Sequence, residues 1–374
     1  MTTRREFLEI AGGSAAFALA GCTTGAAVKP RDGLLFGALL HFGGNVWTDW
    51  VPGTRYLRSA EEERLEIAAG RLKPGKQMTR DYVVTDRSVW RSQLAFMREQ
   101  GLNMVLVDVG EAYAYPSHPE LWVNGSLDPD EMRRMLGEIR ALGIEPIPKL
   151  NFSTCHDAWL REYHYMTSTE KYYQVVKDVI HDTCEVFDGP RYVHLGADEE
   201  FYGGLKKRAL VVCRQGELWW KDLFRAVAEV ERHNARAMVW SDRICNGKEE
   251  FLKQMPKGVL QLPWCYHADY SEKTTTWDPS FEKNLSDMSS QRNLAASIHI
   301  LAEAGYDILP CTGNWKTDRS ADAMLAYCRN RIDPARIKGF LTAPWKLSAP
   351  ETDAKVCDAI RLLAEVKRKH GYHI

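Results

Sequence analysis

The chain has 374 residues, with 49 basic side chains against 50 acidic ones and a net charge of −1. That length suits one large domain or two ordinary ones, and the balanced charge leaves no electrostatic footprint for nucleic acid. Its 12 tryptophans are a high number that calls for a reason.

The chain opens on a leader. Thr3-Arg4-Arg5-Glu6-Phe7-Leu8 carries a twin-arginine export signature. The weakly apolar residues 10–20 are too short to span a bilayer as a stable helix. They run into Leu19-Ala20-Gly21-Cys22, which resembles the lipobox of bacterial lipoproteins, with Cys22 as the lipidated residue. Residues 1–30 are therefore expected to send the folded protein to the periplasm and to tether it to the membrane through a lipid at Cys22 alone. Eight cysteines remain, at 155, 184, 213, 245, 265, 311, 328 and 357. None forms a CxxC pair, so zinc and thioredoxin spacings are absent, and most are expected to pack as small buried hydrophobes.

Residues 31–374 are read as one domain. A strand-length apolar run at 34–41 leads to a loop with Trp47 and Trp50. Residues 51–87 look like a long excursion carrying a short helix at 60–69. An amphipathic helix follows at 88–100, with Trp90, Leu94 and Met97 on one face and Gly101 as its cap. From there strands and helices alternate. Strands are expected at 103–109, 144–150, 192–197, 236–241, 258–264, 306–311 and 338–344. Helices are expected at 130–142, 169–187, 216–233, 248–254, 291–304, 321–331 and 352–370. Strands that read as near-continuous apolar runs are buried on both faces, and eight βα units predict an α/β fold, a single-domain (β/α)8 TIM barrel. A doubly wound open sheet is the alternative, but no glycine-rich phosphate loop follows the first strand.

In such barrels the chemistry sits at the C-terminal ends of the strands. Those ends carry His41; Asp108, with Glu111 and Tyr113 beyond it; Lys149 and Asn151, with His156 beyond; Asp198 and Glu199; Trp240 and Asp242; Trp264 and Tyr266; Trp315; and Trp345. Aromatic faces can stack on the C–H faces of sugar rings while polar neighbours bond the hydroxyls, so these positions are expected to bind carbohydrate. Asp198, Glu199 and Glu200 follow the apolar strand at 192–197 directly. Three adjacent carboxylates cannot stay unpaired in a strand interior, so they must face water or a ligand. His41, Asp108, His156, Asp198 and His267 can in principle converge on one ion. However, the first strand lacks the His-x-His pair of a metal-dependent amidohydrolase, so no metal and no other cofactor is expected. His194, inside its strand, is expected to orient a neighbour.

His194-Leu195-Gly196-Ala197-Asp198-Glu199 resembles the His-x-Gly-x-Asp-Glu signature of glycoside hydrolase family 20, the β-N-acetylhexosaminidases. Residues 147–156, which end in a His, and Met238-Val239-Trp240-Ser241-Asp242 are similar to the third and fifth strands of that family. Trp345 stands where the family closes its pocket. The resemblance implies Glu199 as general acid and Asp198 as the carboxylate that holds the substrate's acetamido group, whose oxygen attacks the anomeric carbon. Adjacent carboxylates suit this, because one charge raises the pKa of the other. The chain also departs from the family. Strand one ends in Leu39-Leu40-His41-Phe42 without the family's Arg, strand eight reads Trp345-Lys346-Leu347 where the family has Trp-x-Glu, and Asn314-Trp315 stands near the expected Tyr. The family's small preceding domain has no counterpart here. The expectation is therefore an exported glycosidase acting on a terminal sugar, N-acetylated or not. A non-catalytic carbohydrate-binding lipoprotein and a metal-dependent barrel hydrolase are the alternatives.

Overall fold

Eight apolar runs form parallel strands: β1 (Leu35–His41), β2 (Met104–Asp108), β3 (Glu145–Lys149), β4 (Tyr192–His194), β5 (Arg236–Trp240), β6 (Leu260–Leu262), β7 (Cys311–Thr312) and β8 (Gly339–Thr342). A computed structural model describes residues 33–73, 76–200, 208–209, 212, 214–282 and 293–372. The leader expected at 1–30, with Cys22, lies outside the described residues, as does Cys213. The strand order is β6-β5-β4-β3-β2-β1-β8-β7, and parallel bridges from Gln261 to Ile308 and from Trp264 to Cys311 join its two ends. The sheet is thus a (β/α)8 barrel.

Helices follow the strands on the outside: α1 (Ala60–Ala68), α2 (Arg87–Glu99), α3 (Pro129–Ala141), α4 (Glu170–Val186), α5 (Gly216–Arg232), α6 (Lys248–Gln254), α7 (Leu294–Glu303), α8 (Ser320–Arg331) and α9 (Asp353–Lys369). Their starts are written locally. Asp86 caps α2, and Asp128 and Glu131 form a capping box at α3 with Pro129 in the first turn. α1 buries no side chain, so packing does not explain it. It is held through Glu63, which accepts from Arg80 Nε at 2.5 Å and from the Tyr82 hydroxyl at 2.6 Å. The excursion at 51–87 returns to the end of β1, where Asn45 exchanges two hydrogen bonds with the Arg80 backbone and Thr85 Oγ1 donates to the carbonyls of His41 and Phe42.

All eight strands are shorter than expected. β4 ends at His194 because Gly196 and Ala197 turn into the left-handed region, with φ of 78° and 69°. β6 and β7 are cut by Pro263 and Pro310, which cannot donate to the ladder. Part of the tryptophan excess is core: Trp90, Trp159, Trp219 and Trp220 are buried. Among the described cysteines all seven are free thiols and six are buried. Among the described residues no helix is long and apolar enough to cross a membrane.

Candidate active site

The strand register brings four polar residues into one row. His41 pairs with Asp108, Asp108 with Lys149, and Lys149 with His194. Register neighbours in parallel strands point to the same face, so this row lines the inside of the barrel. Lys149 Nζ donates to Asp108 Oδ2 at 2.8 Å, and His41 Nδ1 lies 2.9 Å from the same oxygen. All three are at most 1% exposed. Burial alone would raise the Asp108 pKa, but the Lys149 charge and His41 outweigh it and hold the carboxyl well below its usual range. Burial also lowers the pKa of His41. His194 is neutral for the same reason, and its Nδ1 accepts from the Gly196 amide at 3.0 Å.

Above this row the chain turns sharply. Gly196, Ala197 and Glu199 all have positive φ. A Cβ on Gly196 would sit 2.1 Å from Asn151 Oδ1, so only glycine fits between the end of β4 and that side chain. The turn sends the three acids in different directions. Glu200 goes inward to Arg214. Asp198, 6% exposed, accepts from Ser153 Oγ at 2.7 Å and from Asn151 Nδ2 at 3.3 Å. Glu199 keeps 32% of its side chain exposed. Its amide donates to Asp242 Oδ2 at 2.9 Å.

His156 joins the two outward acids. Its Nδ1–H donates to the Val46 carbonyl at 2.8 Å, which leaves Nε2 3.3 Å from Glu199 Oε2 and 3.5 Å from Asp198 Oδ2. Burial favours the neutral ring, but Cys155, Asp198 and Glu199 outweigh it and raise the His156 pKa well above its ordinary value. Asp242 sits on the far side of Glu199, and burial together with the Asp198 charge pushes its pKa up to about 7. One imidazole and three carboxyl groups therefore meet at this mouth. The ligand atoms of His156, Asp198 and Glu199 all lie within 4.8 Å of one another, a spacing that can also hold a metal ion.

A wall of rings adjoins the acids. Trp264 Nε1 donates to Asp242 Oδ1 at 3.3 Å, and its ring stacks on Tyr266 at 5.3 Å. Trp345, at φ 51°, donates from Nε1 to the Tyr266 hydroxyl at 2.9 Å. Its ring lies 5.8 Å from Trp240 and 5.9 Å from His41. Trp47 packs edge-on against His41 at 4.7 Å.

The structure thus brings together Asn151, His156, Asp198, Glu199, Asp242, Trp264, Tyr266 and Trp345. His41, Asp108, Lys149 and Trp240 lie beneath them, buried. Trp315 stands apart, 54% exposed, with Lys346 Nζ 5.9 Å from its ring centre. His267 is exposed, and His41 and Asp108 are bound within the row below, so the five-residue convergence on one ion weighed from the sequence does not form. Ser153 and Trp47 were not singled out by sequence. Ser153 has no motif, and only its place two residues beyond Asn151 at the end of β3 signalled it.

Glu111, just past β2, is 1% exposed and accepts from the Gly44 amide at 2.7 Å and the Asn45 amide at 3.2 Å. Burial pushes its pKa from 4.5 up to about 7. Between those values the folded chain holds a proton that the unfolded chain has released. Its stabilisation is complete below about pH 4.5 and is lost as pH rises towards 7, by an amount on the order of 2–3 kcal/mol. Urea midpoints measured from pH 4.5 to 8 should fall over this range. Glu111→Gln should flatten the fall, leaving the parts contributed by Asp242 and His156, whose pKa values are also raised. A variant with the full wild-type slope would remove Glu111 as its source.

No protein-family model matches the sequence, and no curated protein matches it. Solved structures resemble its fold. The β-N-acetylhexosaminidase of Bacteroides fragilis superposes with a TM-score of 0.55 at 14% identity, covering 90% of this chain and 65% of that one. The family 20 β-N-acetylhexosaminidase of Streptomyces coelicolor A3(2) gives 0.54 at 10% identity, covering 90% and 69%. The pneumococcal virulence factor StrH, described in connection with N-glycan recognition and hydrolysis, gives 0.53 at 12% identity, covering 90% and 84%. The chain spans just under two thirds of the length of the first of these. At such identities the likeness is one of fold.

Proposed function

We propose that this barrel is a glycoside hydrolase that removes a terminal sugar, with Glu199 as the general acid. The observation that carries the proposal is the presentation of Asp198 and Glu199 side by side at the end of β4, against the wall of Trp264, Tyr266 and Trp345. The fold shared with β-N-acetylhexosaminidases supports the same reading. Glu199, the more exposed of the pair, protonates the leaving oxygen. Asp198 is held by Ser153 and Asn151 and stays in place as a carboxylate facing the developing positive charge. Their oxygens lie within 4.8 Å of each other. Inversion needs a gap of roughly 6.5–9.5 Å for a water, so this spacing supports retention of the anomeric configuration. A 2-acetamido group reaching the ring wall beside Asp198 supplies the internal nucleophile that retention then requires.

The sequence supports export by the twin-arginine route to the periplasm and anchoring at Cys22, which we include in the proposal.

The test is a panel of chromogenic β-glycosides, N-acetylated and not, assayed with and without chelator, with the first-formed anomer read by NMR. Turnover with retention, fastest on a 2-acetamido sugar and indifferent to chelator, is expected. Inversion would remove Asp198 from its role, and activity lost to chelator would favour a metal at His156. A second reading, carbohydrate binding without turnover, draws on the buried His41 and on Leu347 at the expected Trp-x-Glu acid. Saturable binding with no hydrolysis of any panel member would establish it.

A further inference from the structure

A second group of metal-ligating side chains lies away from the barrel mouth. His181 and Glu185 stand four residues apart on α4, a spacing that puts both on one face of the helix. His233 is the residue that caps the C-terminus of α5, the helix packed beside α4. The ligand atoms of the three all lie within 4.8 Å of one another, and the rings of His181 and His233 are 5.2 Å apart. His181 and Glu185 are exposed and His233 is partly buried, so solvent can reach the group and complete a coordination shell. Glu229 Oε1 lies 3.7 Å from His233 Nε2. A carboxylate beside a ligating imidazole is the usual outer partner that orients the ring.

We propose that His181, Glu185 and His233 form a binding site for a first-row divalent cation of the zinc class. Two imidazoles and one carboxylate suit zinc, nickel or copper better than magnesium or calcium, which prefer all-oxygen shells. Two ligands come from α4 and one from α5, the helices that precede and follow β4. The ion therefore bridges the two helices that come before and after β4, the strand that leads to Asp198 and Glu199. The site stands on this geometry alone and is independent of the activity proposed above.

The experiment uses untagged full-length protein, stripped with chelator and titrated with ZnCl2 in a calorimeter. One equivalent should bind at this site, and His181→Gln and His233→Gln should each weaken it by about tenfold or more. Saturating zinc should raise the wild-type Tm by about 3 °C and leave that of His181→Gln unmoved. Hydrolysis, where measured, should be the same in His181→Gln as in wild type. No binding at millimolar zinc overturns the proposal. So does binding that survives both substitutions, including binding lost instead in His156→Gln, which would place the ion at the barrel mouth. Two equivalents, one of which is lost in His181→Gln, support it.

Discussion

Replacing Glu199 with Gln is expected to lower kcat on unactivated β-glycosides by about a hundredfold or more, with the fold unchanged. The amide keeps the size of the side chain and its reach to His156 Nε2, 3.3 Å away, and it leaves the backbone bond to Asp242 intact. What it lacks is a proton for the departing oxygen. The loss should therefore depend on the leaving group. A dinitrophenyl glycoside departs with little protonation and should lose far less rate than an alkyl glycoside or a disaccharide. That gradient separates removal of an acid from simple damage to the pocket, which would slow every substrate alike. Equal rates for variant and wild type on the unactivated substrates would end the assignment of Glu199. The neighbouring Glu200 cannot stand in for it, because its carboxylate is turned away and bound to Arg214.

The largest stability loss is expected at Arg214. Its guanidinium donates from Nε to Glu200 Oε2 at 3.0 Å, from Nη1 to Asp222 Oδ2 at 3.2 Å and from Nη2 to the Phe152 carbonyl at 2.9 Å. Glu200 and Asp222 are each 5% exposed and Arg214 is 7% exposed. Other donors serve the two acids: the Thr154 amide reaches Glu200 at 3.1 Å, and the Tyr173 hydroxyl reaches Asp222 at 2.5 Å. Arg214→Met would keep the packing of the stem and take this guanidinium away from two buried carboxylates. Breaking a buried ion network on one side costs about 3–5 kcal/mol. Urea unfolding should show a lower midpoint with an unchanged slope. As a contrast, Arg331 and Glu303 meet at 2.8 Å with more than half of each side chain exposed. Arg331→Ala should cost less than about 1 kcal/mol. Equal losses for the two variants would mean that Arg214 is not neutralising a buried charge. Glu200 directly follows Glu199 in the chain, so Arg214→Met should also weaken hydrolysis.

The barrel was legible in the chain because its signals are local. Each strand is an apolar run and each helix has its own period and cap, such as Asp128 with Glu131 at α3. The alternation of eight such units admits few topologies. The strand-end positions followed from the same pattern, and the acids at 198 and 199 stood out because an apolar strand cannot absorb them. The boundaries of β4, β6 and β7 failed where a backbone effect beat side-chain pattern: the left-handed turn at Gly196 and Ala197, and Pro263 and Pro310 just outside β6 and β7. Which residues share a pocket was a different matter. Asp198, Glu199 and Glu200 are equivalent as letters, yet the sign of φ at Glu199 and the position of Arg214 send one inward and two outward. Only register put His41, Asp108, Lys149 and His194 in one row, because pairing between parallel strands is set by contacts more than forty residues apart along the chain. His181, Glu185 and His233 likewise read as ordinary helix-surface residues. They meet only because α4 and α5 pack against each other, and no local spacing encodes a contact between two helices.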